Sequence, residues 1–420
     1  MGWNKVVLYV CTIISISSIS VRAQGSEIDA VRNVSQSLNQ FALKLLSETS
    51  IKLGSSNNLA ISPYTVWSLL SIIAEGANGN TASQLEQVLM LPRNKDLFRR
   101  NYKSFTKYLV QQADGVQLDL NSAIFTSKDQ NLNRIYQSMV KNYYGVDIMP
   151  TNFKNLAEAV NSINSHVAAA TQNRIKNFVS ADDVVNAEIM AVSTLFFKGR
   201  WKTPFNKTAT LLDKFYDDSG NAKGQVNMMY QIGQYPYTIL SNLKSHAVEL
   251  PYGKGDRMSM IIILPRKGES LESVLKILAN TPFSYVLNAL QTAEEQFGEE
   301  FVQVYLPRFM INSDLNLNEI LDHMGIKDVF NPNTADLLGI FPHYLYISRV
   351  IQEAKIEVNE EGTVASSAAG GSLQNKSPPP KFYANRDFAY FLVDKPTRSI
   401  VFAGKVSNPT SICDNCSLRN

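Results

Sequence analysis

Residues Ile351–Pro380 read IQEAKIEVNEEGTVASSAAGGSLQNKSPPP. The run starts as a strand: Val350, Ala354, Ile356 and Val358 alternate with Glu353, Lys355 and Glu357, a period of two. Gln352 is the one polar residue on the apolar side, so it needs a buried hydrogen-bond partner. From Gly362 bulk disappears. GTVASSAAGGS holds no aromatic and no charge, and Val364 is its one medium aliphatic. Such a segment buries too little surface to fold alone and reads as an exposed loop. It also fits a strand, because Thr363, Ala365, Ser367, Ala369, Gly371 and Leu373 would share one face and all but the last are small. Pro378–Pro380 stiffen the exit and cannot donate to a ladder.

The remaining chain supplies the frame. Its 420 residues, 45% hydrophobic and 18% charged, fit a globular protein of one or two domains with no composition break. Met1–Lys5 precede the apolar run VVLYVCTIISISSISV and a small-residue site ending at Ala23, the pattern of a secretory signal peptide, with a membrane anchor as the alternative. Without Lys5 and Arg22 the 40 basic residues fall to 38 against 37 acidic, a net +1 that argues against nucleic-acid binding by bulk charge. Residues 24–420 are then one domain. Cleavage leaves Cys413 and Cys416 in a short tail, 410–420, where CDNC suits a small closed disulfide loop or an intermolecular partner. No metal site is expected, since the two thiols lack further ligands. Asn33, Asn206, Asn375 and Asn415 head glycosylation sequons, with Asn375 the one expected to stay unmodified.

Apolar residues at helical spacing mark several amphipathic helices. Val34, Leu38, Phe41 and Leu45 mark the first, and Ile61-Ser62-Pro63 opens a second carrying Val66, Leu69, Leu70 and Ile73. Thr81 and Gln84 form a candidate capping box for a third. Leu97–Leu109 sets Phe98, Tyr102, Phe105 and Leu109 against Arg99, Arg100, Lys103 and Lys107. Further helices are predicted over Leu132–Tyr143 and Leu156–Ala170, and one through Leu317, Ile320 and Leu321 ends near Gly325. Strands are predicted at Val116–Leu120, Asp147–Met149, Ile189–Phe197, Val248–Leu250, Met258–Leu264, Val302–Leu306, Phe388–Val393 and Ser399–Gly404. Without regular βαβ spacing this mixture argues for antiparallel-rich sheets with helices packed around them.

The four histidines, His166, His246, His323 and His343, fall in no HExxH run, and there is no GxSxG elbow or phosphate-binding glycine loop. An enzyme is therefore disfavoured.

EEGTVASSAA, Glu360–Ala369, resembles the proximal hinge of the reactive loop in serpins, the suicide-type serine protease inhibitors. FYANRDFAYFLVDKPTRSIVFAGKVSNP, Phe382–Pro409, resembles that family's C-terminal signature. Further matches run from Phe41 to the end. The resemblance implies an α+β fold of three mostly antiparallel β-sheets surrounded by eight or nine helices, with an exposed reactive loop at about 360–381. It implies a serine-type endopeptidase inhibitor rather than an enzyme, with no resident cofactor, acting as a monomer before complex formation. Taking Gly362 as the fifteenth residue before the cleaved bond puts that bond at Lys376–Ser377, and Lys376 fits a trypsin-like pocket.

The hinge is then Glu360, Glu361, Gly362, Thr363, Ala365, Ser367 and Ala369. Glu360 and Arg308 match a pair at the top of the insertion site, where the family usually has Glu with Lys; each could also be a solvated end-of-strand charge. Ser62, Ser193 and Gln352 match the region where the central strands part. The family usually has Asn at position 193 and His at 352, so these two form a candidate substitute network. In some serpins the helix matching Leu97–Leu109 binds sulfated polysaccharide, which makes Arg99, Arg100, Lys103 and Lys107 candidates for such a cofactor; the alternative is a solvated basic face. The function implied is a secreted, extracellular inhibitor that traps a trypsin-like protease, regulating a cascade such as innate immunity or melanization. The alternatives are a non-inhibitory protein of the same fold and, from another class, a structural or lectin-like domain.

Overall fold

Residues 3–109, 113–298, 300–362 and 378–409 are described by a computed structural model. Helix α1 runs over Trp3–Leu53 and includes the expected leader; Val31, Val34, Leu38, Phe41 and Leu45 lie on its packed face. A short strand, β1 (Leu59–Ile61), leads into α2 (Pro63–Gly76). Ser62 caps α2 by accepting from the Thr65 N–H, and Pro63 sits where a missing N–H costs nothing. Almost every residue of α2 is buried, so it is the central helix of the core.

Next come α3 (Gly79–Leu89), α4 (Lys95–Leu109), β2 (Val116–Ser127), α5 (Arg134–Tyr144), β3 (Ile148–Thr151), α6 (Leu156–Ala170), α7 (Ala181–Val184) and β4 (Ile189–Gly199). The strands β5 (Leu211–Tyr216), β6 (Ala222–Gln234), β7 (Tyr237–Leu240), β8 (Ser245–Tyr252) and β9 (Met258–Pro265) follow, then α8 (Leu271–Leu278) and α9 (Ser284–Phe297). The chain continues through β10 (Phe301–Pro307), β11 (Phe309–Asn316), α10 (Asn318–His323), β12 (Arg349–Val358), β13 (Lys381–Tyr383), β14 (Phe388–Asp394) and β15 (Ser399–Val406). Among the described residues α7 and α10 are short turns, which leaves eight longer helices beside the expected eight or nine. None of the described helices is long and apolar enough to cross a membrane.

The strands form three sheets. One has the order β1-β15-β14-β9-β8-β7, a second β13-β10-β6-β5, and a third β11-β12-β4-β2-β3. Most neighbours are antiparallel, and the exceptions are β12 with β4, β2 with β3, and β10 with β13. In the first sheet β9, β14 and β15 are buried along their whole length, which is why their sequences are continuous apolar runs rather than alternations. The third sheet is packed on two sides. Val350, Ala354, Ile356 and Val358 of β12 face the main core with α2, while Ile351, Met190 and Val192 meet Ile163 and Val167 of α6 on the other face.

Two local expectations are corrected. Thr81 and Gln84 do not cap their own helix, which starts at Gly79 behind Asn78. Thr81 Oγ1 accepts from the Asp336 N–H at 3.0 Å, and Gln84 Oε1 accepts from the N–H groups of Lys327 and Asp328 at 2.8 and 2.9 Å. Both side chains thus satisfy a distant loop. The helix expected from Leu132 starts at Arg134, because Asn133 turns out to be its N-cap, accepting from Ile135 and Tyr136.

Candidate functional site

The site is a seam. β12 and β4 pair in parallel over Arg349–Glu357 and Met190–Lys198, at the centre of the third sheet. This register sets Gln352 directly beside Ser193. Both are fully buried, on the face that looks toward the start of α2. Gln352 Nε2 donates within reach of Ser193 Oγ at 2.9 Å, the Ser62 carbonyl at 2.9 Å and Thr65 Oγ1 at 3.1 Å. Its Oε1 accepts from the Ser62 N–H at 3.0 Å. Thr65 Oγ1 and Ser193 Oγ lie 2.5 Å apart, and Ser62 Oγ donates to the Val401 carbonyl of β15 at 3.2 Å. The network therefore ties both strands of the seam to the N-terminus of α2. Its polar groups satisfy one another, and the strands cannot part without stranding some of them in an apolar core.

Thr65 was not among the residues expected here. Its signal was its position three residues after Ser62, about one helical turn on and so on the same side of α2.

The upper end of the seam is closed on the other face. Lys198 and Glu357, also paired in register, form an ion pair at 2.8 Å, and Glu357 accepts from Asn359 Nδ2 at 2.9 Å. Above it the chain is held through its carbonyls. Trp201 N–H donates to the Glu361 carbonyl at 2.9 Å, Trp201 Nε1 to the Asn359 carbonyl at 2.7 Å, and Phe205 N–H to the Glu360 carbonyl at 3.1 Å. Trp201 itself stacks on Tyr252 with centroids 4.2 Å apart.

Glu360 is 4% exposed, so it is not a solvated end-of-strand charge. Its Oε1 accepts from Arg308 Nη2 at 2.5 Å, Arg308 Nε at 3.2 Å and Thr210 Oγ1 at 2.6 Å. Burial pushes this carboxyl up, but the hydrogen bonds from Arg308 and Thr210 outweigh it and hold it below its ordinary value. Thr210 had no sequence signal, since it comes from the turn before β5. Gly362 makes a bridge to Trp201 and lies against Pro204, where a Cβ would meet the Pro204 Cα at 2.7 Å; only glycine fits.

The other expected residues fall as follows. Thr363, Ala365, Ser367, Ala369, Asn375, Lys376 and Ser377 lie outside the described residues, as do Cys413, Asn415 and Cys416. Asn33 is exposed on α1, and Asn206 is exposed in a turn where its Oδ1 accepts from Thr208 Oγ1 at 2.8 Å. The four cations of α4 do not act together. Arg100, Lys103 and Lys107 are exposed at spacings of three and four, on one side of the helix. Arg99 turns instead toward α2, where Nε and Nη2 grip the two oxygens of buried Glu75 at 3.0 and 2.8 Å. His246 Nδ1 meets the Tyr237 hydroxyl at 2.8 Å, and His166 lies edge-on to Phe125.

A family model described as "Serpin (serine protease inhibitor)" matches residues 36–409. The chain belongs to the serpin family. Leukocyte elastase inhibitor A of Mus musculus is 30% identical over 88% of this serpin and 97% of its own length. The crystal structure of the mouse protein-Z dependent protease inhibitor superposes with a TM-score of 0.76 at 25% identity, covering 91% of this serpin and 99% of that chain. Serpin-12 of Manduca sexta shares the fold with a TM-score of 0.77 at 24% identity, over 89% of this serpin and 98% of its own chain. The family is one of serine protease inhibitors, not of enzymes, which agrees with a site whose buried polar groups are spent on holding two strands together.

Proposed function

We propose that this serpin is a secreted inhibitor that covalently traps a trypsin-like serine protease, with Lys376–Ser377 as the bait bond. The observation that supports this most is the parallel seam. A protease serine would attack the Lys376 carbonyl carbon; the amide bond to Ser377 breaks, the new amine leaves protonated on Ser377, and an ester joins the enzyme to Lys376. The freed segment 362–376 turns back from the top of β12, so on entering the seam it runs antiparallel to both β12 and β4. One parallel ladder is replaced by two antiparallel ones, the more stable pairing per residue. The tethered protease is carried along and its oxyanion geometry distorted, and a displacement of about 1 Å already costs roughly 10²-fold in rate. The second half-reaction then stalls.

A lysine at the bait position suits a pocket with a buried carboxylate, in contrast to the elastase named for the mouse relative. An extracellular cascade of immunity or melanization is the setting that a secreted trap would serve, with Asn33 and Asn206 as its accessible sequons. Arg100, Lys103 and Lys107 form the stripe that a sulfated polysaccharide would use, and Arg99 stays with Glu75. Reversing Lys103 and Lys107 should then abolish salt-sensitive retention on immobilised heparin.

A second reading has a specific observation behind it: the seam is held by Ser193 and Gln352, not by the residues most serpins use. A seam too hard to open would give a substrate, cleaved and released. Incubation with trypsin separates the two. An SDS-stable complex is expected; rapid cutting after Lys376 with no complex would leave only the substrate reading, and a loop that resists trypsin would overturn both. Thr363→Arg should keep the cleavage and lose the complex, because a charge on the inserting face must be buried without a partner.

A further inference from the structure

The four-stranded sheet ends at β5, and no described strand pairs with its outer side. An edge strand presents a row of N–H and C=O groups without ladder partners. At the far end of β5 Tyr216 is occupied, since its N–H donates to the Asn385 carbonyl at 2.9 Å. The start of the strand is open and apolar. Leu211 and Leu212 are 69% and 68% exposed, and they are the only adjacent pair among the large apolar residues exposed in the described chain. Register sets Leu211 beside Met228 and Leu212 beside Asn227, so the two side chains stand on opposite faces of the strand. An exposed apolar edge of this kind is a template for pairing with another chain.

The sequon Asn206-Lys207-Thr208 lies just before this edge. Asn206 caps the short turn Lys207–Ala209, its Oδ1 accepting from the Thr208 N–H at 3.0 Å and from Thr208 Oγ1 at 2.8 Å. The carbonyl of the amide is thus turned onto the threonine. Its Nδ2, the atom to which an N-linked sugar is joined, has no hydrogen-bond partner among the described residues. The turn is held at both ends by one residue: Phe205 N–H donates to the Glu360 carbonyl at 3.1 Å, and Thr210 Oγ1 to the Glu360 carboxylate at 2.6 Å. Asn206 is therefore fixed near the start of β5, with at most about 17 Å of chain between it and Leu211.

We infer that Asn206 carries an oligosaccharide that lies over the start of β5 and keeps a second copy of this serpin from adding its own strand there. The inference rests on reading the chain as secreted, since N-linked sugars are added on entry to the secretory route. Such a sugar is bulky and strongly solubilising. Anchored on a fixed turn, it excludes another protein from the space beside Leu211 and Leu212. A bare edge has a different fate. Two copies related by a two-fold axis would pair β5 with β5 antiparallel and cover both leucines of each.

The test uses the full chain, expressed from its own first residue in insect cells and recovered from the medium. Glycopeptide mass analysis should find Asn206 occupied. Two variants close the sequon. Asn206→Gln removes the attachment point. Lys207→Pro leaves Asn206 and Thr208 in place, and it fits, because Asn206 is already extended (φ −78°, ψ 114°) and position 207 opens the turn, where a missing N–H costs nothing. In sedimentation at rising concentration the parent should stay a monomer, while both variants approach twofold its mass. Adding Leu211→Lys and Leu212→Lys to either variant should restore the monomer, as charges on an edge strand block pairing. Monomeric variants at every concentration, or an association that the two lysines fail to reverse, would overturn the inference. So would secreted protein with Asn206 bare. Protein that stays in the cells with no sugar on any sequon would instead remove the reading of secretion, and this shield with it.

Discussion

Gln352 does more work than any other single side chain at the seam, since it meets Ser62, Thr65 and Ser193 at once. Gln352→Ala leaves the buried Ser62 N–H without its acceptor, a loss of about 1–3 kcal/mol before any cavity is counted. Ser193→Ala removes one of three acceptors and should cost about 1 kcal/mol or less. The order predicted for the melting temperature is parent, Ser193→Ala, Gln352→Ala, with the last a few degrees below the parent; calorimetry showing the reverse order would remove Gln352 from the centre of the network. Glu360 adds a pH dependence. Its folded carboxyl sits below the ordinary 4.5, so the Arg308 pair contributes fully above that value and is lost as the pH falls through the lowered one. The melting difference between the parent and Glu360→Gln should be largest near neutrality and shrink only below about pH 4.5. An unchanged difference at pH 3 would contradict the pairing. Gln352 could be singled out from its neighbours alone, as a polar residue inside an apolar alternation. Thr65 had only its place one turn after Ser62 and Thr210 had no signal, because nothing local distinguishes a threonine that meets a buried carboxylate or amide from one that meets water.

The strand pair β12–β4 is the element on which the proposed mechanism turns. Lys355 and Phe196 are paired in register across it, and neighbouring strands about 4.8 Å apart fall inside the range a disulfide spans. Lys355→Cys with Phe196→Cys should therefore give an oxidised protein that trypsin still cuts in the loop but that forms no SDS-stable complex, with trapping restored by dithiothreitol. Normal trapping by the oxidised form would mean that the new strand enters elsewhere. Both strands were legible from their composition, β12 by alternation and β4 by its apolar run. Their register was not, since 159 residues separate Ser193 from Gln352 and strand periodicity does not encode a register; only the resemblance put the two residues together. The same limit explains the helix α4, whose buried face was readable while the docking of Arg99 on Glu75 depended on where α2 lies.

For the molecule as a whole, the present fold is one of two that the chain must reach if the trap operates, and the seam is the barrier between them. Cutting after Lys376 should move the melting transition above about 90 °C, into the hyperstable range, as the parallel ladder gives way to two antiparallel ones. Circular dichroism melts of the nicked protein check this, and an unchanged transition would mean that the segment stays outside the sheet. The sequence by itself determined the class of the protein. The small-residue hinge after Glu360, the C-terminal block Phe382–Pro409 and the amphipathic periods are local patterns, set by side-chain size and spacing along one segment. The resemblance already put Ser193 with Gln352 and Arg308 with Glu360; tertiary structure alone decided the rest of what holds the seam shut. Thr65 on Gln352, Lys198 on Glu357 and Thr210 on Glu360 each join segments more than fifty residues apart, whose sides were unknown until they packed. A buried polar group needs a partner, but only the packed core determines which of the many available groups arrives within hydrogen-bond distance.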